Sequence, residues 1–499
     1  MANIERGLTL VEGGLVLVDA GEAPARADVL IRDGEIVEVG SGLAIGEGVA
    51  RISAADRIII PGLVNSHTHS QGNLAKSHGD RWTLELLLNS GAWMSGNRTT
   101  EDKYLSATIG AAEMIRRGCT ACYDLLAEIP HVTVDGLVAV GQAYEDAGMR
   151  AVVAPMLSDI TFYRAVAGLI DAMDGADADR ARGIRPLQPA QIIEICQQAL
   201  VRWPFDTTKV RLDLAPTIPL LCSDEFLKAC RELADEHGVG IHTHMAESRV
   251  WANLGKMKYG SSLTRHFDDF KLLGPRFTAA HAVWMSDDDL KLMGDRGASV
   301  AHNPLSNMRL GSGLADVPSM RRHGVNVGLG TDSCNCSDSL SMFESMRIAA
   351  YTSRVIGYRV ADWLRSEDVL RMATEGSAKA LGWGDKLGRI RAGYKADLVF
   401  LNKRDVAFVP LHHFATQLVS AADSTAVASV MVNGRTVYDA GKFLTFDYDA
   451  LVTRAEKAAE RLWLANKDNR EWALSMERLV DGVCSGIAPP AGSAHQGQA

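Results

Sequence analysis

The sequence predicts an α/β fold: a (β/α)8 TIM barrel with a small β-sandwich domain built from both chain ends. Three observations carry that expectation. Short apolar, β-branched runs recur eight times, at 57–69, 121–125, 150–155, 210–216, 239–247, 277–284, 298–304 and 325–333. Longer helical patterns such as "TEDKYLSATIGAAEMIRRG" (Thr100–Gly118) separate them. Two hairpin-rich segments flank this middle, "DVLIRDGEIVEVG" around Asp33-Gly34 and "VASVMVNGRTVYDAGKF" around Asn433-Gly434.

Strand alternating with helix implies a parallel sheet, and eight such units match the length of roughly 250 residues typical of a closed barrel. Periodicity alone also allows a doubly wound sheet. Asp-Gly and Asn-Gly are favoured in tight hairpins, because both turn residues tolerate positive φ. The expected division is 1–60 plus 396–450 for the small domain and 61–395 for the barrel. A C-terminal helical segment and disordered tail then fill 451–499: "LVTRAEKAAERLWLANKDNREWALSMERLV" has helical patterning, and "APPAGSAHQGQA" is small and polar.

Composition narrows the function classes. The 499 residues are 47% hydrophobic and 23% charged, enough for a sizeable core. A net charge of −9 gives no basic field for nucleic acid or an anionic membrane surface. No uninterrupted apolar stretch of about 18 residues exists, and the N-terminus lacks the basic and apolar regions of a signal peptide. Eight cysteines in a chain of this length do not imply a disulfide framework. A soluble, cytoplasmic protein with a small-molecule substrate, no nucleic acid and no membrane partner is the expectation.

The chemistry lies at the strand ends. "IIIPGLVNSHTHSQGN" ends an apolar run with His67 and His69, which share one face because strand residues i and i+2 point the same way. The fifth run supplies His242, His244 and Glu247, the sixth His281, the seventh His302 and Asn303, and the eighth Asp332. In a barrel these converge on the C-terminal mouth. Several imidazoles and a carboxylate from different strands suit a Zn2+-like ion with one position left for water.

"PGLVNSHTH", "IHTHMAES", "AHAVW", "AHNPLSNMRLGSG" and "GLGTDS" resemble the amidohydrolase superfamily. Within it they are similar to the branch of cytosine, guanine and S-adenosylhomocysteine deaminases and triazine (atrazine/melamine) hydrolases. "ATEGSAKALGWGDKLGRIRAGYKADLVFL" resembles the family's closing segment, so the likeness spans roughly residues 8 to 445. It implies one divalent metal per chain, Zn2+ or else Fe2+ or Mn2+, held by His67, His69, His244 and Asp332. No lysine stands in "VRLDLAP", where binuclear relatives often carry a bridging one. Asp332 would also take a proton from the attacking water, Glu247 would pass protons to the ring and leaving group, and His281 would orient the metal-activated hydroxide. A homo-oligomer is the family's habit.

The implied reaction is hydrolytic removal of an amino group from an N-heterocycle. The same machinery could expel another group, in hydrolysis of C–Cl, a C–N side chain, an amide, a urea or a carbamate. A non-catalytic barrel scaffold is the third reading, opposed by the intact set of ligating residues. His242 shares a face with His244 and serves as ligand or buried partner; the resemblance favours His244. His302 and Asn303 are strand-end polar residues or substrate contacts. Thr217 stands where many deaminases of the branch place a histidine, and Lys76 where they often carry arginine. Trp82 and Trp93 offer flat stacking surfaces or plain core. Cys119 and Cys122 form a structural Cys-x-x-Cys, whereas Cys334 and Cys336 follow Asp332 in the eighth loop without a ligand role.

Overall fold

The computed structural model describes residues 7–488 apart from Glu47 and Tyr358. The expected disordered tail, from residue 489 on, and the first six residues of the N-terminal segment lie outside the described residues.

Eight parallel strands occupy the eight predicted runs. In order they are Leu63–Thr68, Cys119–Leu126, Arg150–Leu157, the interrupted pair Val210–Leu212 and Ala215–Pro216, Ile241–Met245, Phe277–His281, Ser299–His302 and Asn326–Leu329. Hydrogen bonding runs through the first four as one sheet and the last four as another. Parallel bridges Leu214↔Ile241 and Thr68↔Asp332 join the two sheets at both seams and close the barrel. Helices such as Val134–Ala147 and Asp224–His237 return the chain between strands. Their starts are written locally: Thr133 and Ser223 cap them, each hydroxyl accepting from an otherwise unpaired helix N–H.

The small domain draws strands from both chain ends into one continuous nine-stranded sheet. Val11, Val29, Ile31 and Ile59 from the N-terminal part share its core with Leu398 and Met431 from the C-terminal part. Both predicted hairpin turns have the positive φ they need: Asp33 51°, Gly34 80°, Asn433 51° and Gly434 76°. The turns pack tip to tip, and a Cβ on Gly34 would lie 2.6 Å from the Asn433 carbonyl oxygen. Beneath them a buried ion pair fastens this domain to the third barrel strand. Arg150 Nε donates to Asp397 Oδ2 at 2.8 Å and Arg150 Nη2 to Asn433 Oδ1 at 2.7 Å. Asp397 Oδ1 in turn accepts from Asn433 N at 2.8 Å.

The C-terminal segment is a helical hairpin, Tyr448–Ala465 and Lys467–Ile487. Its first helix packs Leu451 and Ala458 against Leu105 and Ala112 of helix Thr100–Arg116, and Arg461 pairs with Asp102. The second lies along helix Leu84–Met94, where Asn89 Nδ2 donates to the Ala473 carbonyl at 2.8 Å. Among the described residues no helix is long and apolar enough to cross a membrane.

Asp397→Ala leaves the Arg150 guanidinium buried without its carboxylate. Denaturant unfolding should register a loss of about 3–5 kcal/mol, as for other broken buried pairs. A loss below about 1 kcal/mol, the range of exposed pairs, would show that this joint does not hold the domains together.

Candidate metal centre

Each polar side chain at the barrel mouth is aimed by backbone around it. The eighth strand ends by docking on the first: Thr331 N and Asp332 N both donate to the His67 carbonyl, at 3.1 and 2.9 Å. Asn65 locks the same junction, giving Nδ2–H to Thr331 Oγ1 at 2.7 Å and accepting from Thr331 N at 3.1 Å. Gly330 is required by close approach, since a Cβ there would lie 2.2 Å from Asn303 Oδ1 and 2.8 Å from His67 Cβ. Beyond the glycine, Asp332 takes a φ of 61°, which turns its carboxylate over the barrel axis. His281, at φ 68°, is bent into the centre in the same way.

His69 and His244 are oriented from behind. His69 Nδ1 gives its proton to the Leu125 carbonyl at 2.6 Å, and His244 Nδ1 to the Thr217 carbonyl at 2.7 Å. A carbonyl oxygen can only accept, so both rings carry a proton on Nδ1 and turn Nε2 forward. Those two Nε2 atoms are 3.2 Å apart. Asp332 Oδ1 lies 3.2 Å from His69 Nε2 and 3.7 Å from His67 Nε2. His67 is fully buried, and neither of its ring nitrogens has a hydrogen-bond partner. Single donor atoms of His67, His69 and His244 lie within 4.8 Å of one another, as do those of His67, His281 and Asp332. Facing and orphaned imidazole nitrogens and a carboxylate form a donor set that fits a divalent cation.

Burial sets the charge states. It lowers His67 well below the usual histidine value and, with His69 and His281 nearby, takes His244 down to about 3. Burial opposes charge on His69 too, but its bond to Asp332 outweighs that and raises it. Asp332 is held well below the carboxylate range: burial pushes it up, and the His69 bond and neighbouring imidazoles pull it down further. Its other oxygen, Oδ2, accepts from Ser306 Oγ at 2.6 Å. Glu247 behaves in the opposite way. Burial, then the charges of Asp332 and Glu85, raises its pKa well above the usual range. Its Oε2 lies 3.5 Å from His281 Nε2, while His281 Nδ1 is tied to Asn307 Oδ1 at 2.9 Å.

The structure thus brings His67, His69, His244, Glu247, His281 and Asp332 into one buried cluster. His242 stands outside the donor groups, with its ring 4.5 Å edge-on from Tyr123. Thr217 lines a cavity of about 290 Å3 that opens onto this cluster. His302 and Asn303 do not line it: His302 is buried, driven down to about 3, and Asn303 sits behind His281 with Nδ2 3.4 Å from His281 Nδ1. Trp82 is turned away, its indole N–H donating to Glu477 at 2.9 Å, and Trp93 packs edge-on against it. Lys76 pairs with Glu113 outside the cavity. Cys336 lines the cavity and Cys334 does not.

Sequence reasoning missed the cavity's outer wall. Leu84, Leu87, Leu88, Gly91 and Met94 line it from one helix at spacings of three and four residues. That periodicity was available as a signal. It marks an apolar face without saying whether the face meets core or ligand.

Fold and centre together define a barrel hydrolase built around a divalent-metal site. The chain belongs to the amidohydrolase family, whose model matches residues 58–437. It is 33% identical over 435 residues to a 5'-deoxyadenosine deaminase of Methanosarcina barkeri, covering 87% of this chain and 93% of that one. It is 31% identical to a 5-methylthioadenosine/S-adenosylhomocysteine deaminase of Syntrophobacter fumaroxidans, covering 93% and 100%. Among solved structures, a zinc-bound adenosine deaminase from Xanthomonas campestris superposes with a TM-score of 0.78 at 27% identity, over 91% of this chain and 98% of that one. A zinc complex of atrazine chlorohydrolase from Arthrobacter aurescens does so at 0.81 and 25%, over 90% and 100%.

Elemental analysis of the purified protein should find about one divalent metal per chain, and His69→Ala should lower metal affinity by about 10-fold or more. Two equivalents in the wild type would overturn the single-ion expectation.

Proposed function

We propose that the chain is a hydrolytic deaminase that removes an exocyclic amino group from an N-heterocycle, using one zinc ion held by His67, His69, His244 and Asp332. The observation that carries this reading is geometric: a donor set of His67, His69, His244 and Asp332 meets, in one buried site, a second carboxylate, Glu247, whose Oε2 lies 3.5 Å from His281 Nε2. When bound, the metal would lower the pKa of a water from about 15.7 towards 7 and so make a nucleophile available near neutrality.

The remaining work belongs to this chain's side chains. Asp332, held well below the carboxylate range by the His69 bond and the neighbouring imidazoles despite its burial, accepts the proton that the attacking water loses. His281, fixed through Nδ1 by Asn307, aims Nε2 at the space between Glu247 and Asp332, where it orients that water. Glu247 donates a proton to a ring nitrogen, which makes the adjacent carbon electron-poor. Ionised by that transfer, it takes the remaining proton from the hydroxyl now on that carbon and passes it to the departing amine, since ammonia leaves far more readily than amide ion, and the proton held on Asp332 then restores Glu247. Two like carboxylates with pKa values pushed apart by environment are the usual basis of such acid–base pairs.

Hydrolysis at carbon bearing chloride or an alkylamine is the second reading, favoured by the structural likeness to atrazine chlorohydrolase. Activated water does not dictate what departs, so a panel of aminopurine nucleosides and aminotriazines, scored for ammonia, chloride and amine, separates the two. We also read the chain as a cytoplasmic homo-oligomer. All eight cysteines are unpaired and buried, as suits a reducing compartment, and light scattering on the purified protein checks the assembly.

Glu247→Gln keeps the shape but cannot cycle a proton. It should retain the metal and lose about 10²–10⁴-fold in kcat. Near-normal turnover in that variant would remove Glu247 from the mechanism.

A further inference from the structure

The cavity has two unlike halves. Its floor is the polar cluster of Glu247, His69, His244 and Asp332, with Thr217 beside it. Its wall is mostly apolar: Leu84, Leu87, Leu88 and Met94 come from one helix, and Ile218 and Leu221 from the loop after the fourth strand, while Gln71, Ser95, Ser158, Asn335 and the carboxylate of Glu128 also line the cavity. Among the described residues, no lysine or arginine lines it.

Cations do lie nearby, but each is already engaged. Lys103 Nζ donates to Glu128 Oε2 at 2.9 Å, in a pair whose carboxylate side chain is 2% exposed. Arg98 is half-buried and gives Nη2–H to the Met94 carbonyl at 2.7 Å and Nη1–H to Ser106 Oγ at 3.2 Å. Lys76 is held by Glu113 on the outside. The wall also has little freedom to rearrange. The opposite face of helix Leu84–Met94 is pinned to the C-terminal hairpin through Asn89 and Ala473, and Tyr163 Oη donates to Asn89 Oδ1 at 3.0 Å.

We infer that this cavity selects substrates whose substituent, remote from the reacting carbon, is uncharged and apolar, and rejects analogues carrying a carboxylate, zwitterionic or phosphate tail. The inference rests on the reading above in placing an N-heterocycle here with its amino carbon at the polar floor. The substituent must then lie along the leucine wall, where a methyl, alkyl or thioether group gains by leaving water. A carboxylate or phosphate in the same place is desolvated with no counter-ion to meet it. The volume, about 290 Å3, sits at the lower edge of the range for small-molecule sites and leaves little room for a tail to curl back to solvent. Of the compounds named for the relatives, 5'-deoxyadenosine and 5-methylthioadenosine suit this wall. S-adenosylhomocysteine, with its amino-acid tail, does not.

The test uses the zinc-loaded full-length protein and two probe pairs. One pair is 5'-deoxyadenosine with adenosine 5'-monophosphate; the other is an N-alkyl aminotriazine with its carboxyalkyl counterpart. Binding is read by calorimetry and turnover by ammonia release, so the two readings fail separately. The neutral member of at least one pair should bind about 10²-fold or more tightly than its anionic partner, the discrimination expected for an unpaired buried charge. Leu88→Arg should narrow that gap by about 10-fold by supplying the missing counter-ion. Ile129→Arg, at a cavity residue that is 37% exposed, repeats the experiment if the first variant does not fold.

Anionic members binding within about threefold of their neutral partners, well inside the effect of one unpaired charge, would overturn the inference whatever the ammonia assay gives. So would the absence of saturable binding by either neutral probe. Neutral preference in binding without ammonia release would leave this inference standing and sink the deaminase reading instead.

Discussion

Two imidazole nitrogens, Nε2 of His69 and Nε2 of His244, face each other across 3.2 Å at the barrel mouth. Their tautomers are not free to change, because the carbonyls of Leu125 and Thr217 each take the Nδ1 proton. With Asp332 Oδ1 3.2 Å from His69 Nε2, ring nitrogens and a carboxylate meet in a buried, poorly solvated space, a donor set that a cation would satisfy. Much of the remaining architecture serves to hold that donor set in place. Barrel closure through Thr331 and Asp332 onto the His67 carbonyl brings a carboxylate beside the same point. The parallel register of the fifth and sixth strands, with Met245 opposite His281, carries the last histidine in.

The small domain and the C-terminal hairpin contribute without touching the centre. Arg150 and Asp397 fix the base of the third strand to the sheet formed by both chain ends. The hairpin acts at the other end, behind helix Leu84–Met94. That helix is buried on two faces: one stripe meets the cavity, and the other, with Asn89 and Trp93, meets the hairpin and its neighbours. A wall built this way is placed by packing from behind, so its position is independent of what fills the cavity in front.

This division explains what could be read from the sequence. The eight strand runs and both hairpin turns were legible because each is a local signal: β-branched residues for the strands, Asp33-Gly34 and Asn433-Gly434 for positive φ. The clustering of His67, His69, His244, His281 and Asp332 was legible because a closed barrel turns strand-end position into spatial convergence. Side-chain direction in the loops was not. Trp82 looked like a stacking surface, yet its indole N–H finds Glu477, 395 residues away in sequence. His302 and Asn303 end the seventh strand as a strand-end reading requires, but lie behind His281 rather than in the cavity. The wall helix carries apolar residues on both faces, so periodicity gave its stripes without saying which one a ligand would meet.

The two carboxylates make the same point in chemical terms. Asp332 and Glu247 belong to one residue class, share one buried site and both approach His281. Sequence alone gives them the same reference pKa. Their difference comes from partners: Asp332 accepts from Ser306 Oγ and Ser333 N and lies beside His69. Glu247 meets His281 at 3.5 Å, a longer approach, and feels the negative charge of Asp332 and Glu85. After burial, the charge of Asp332 is the next cause that raises the Glu247 pKa. A change that removed the Asp332 charge would lower the Glu247 pKa as well.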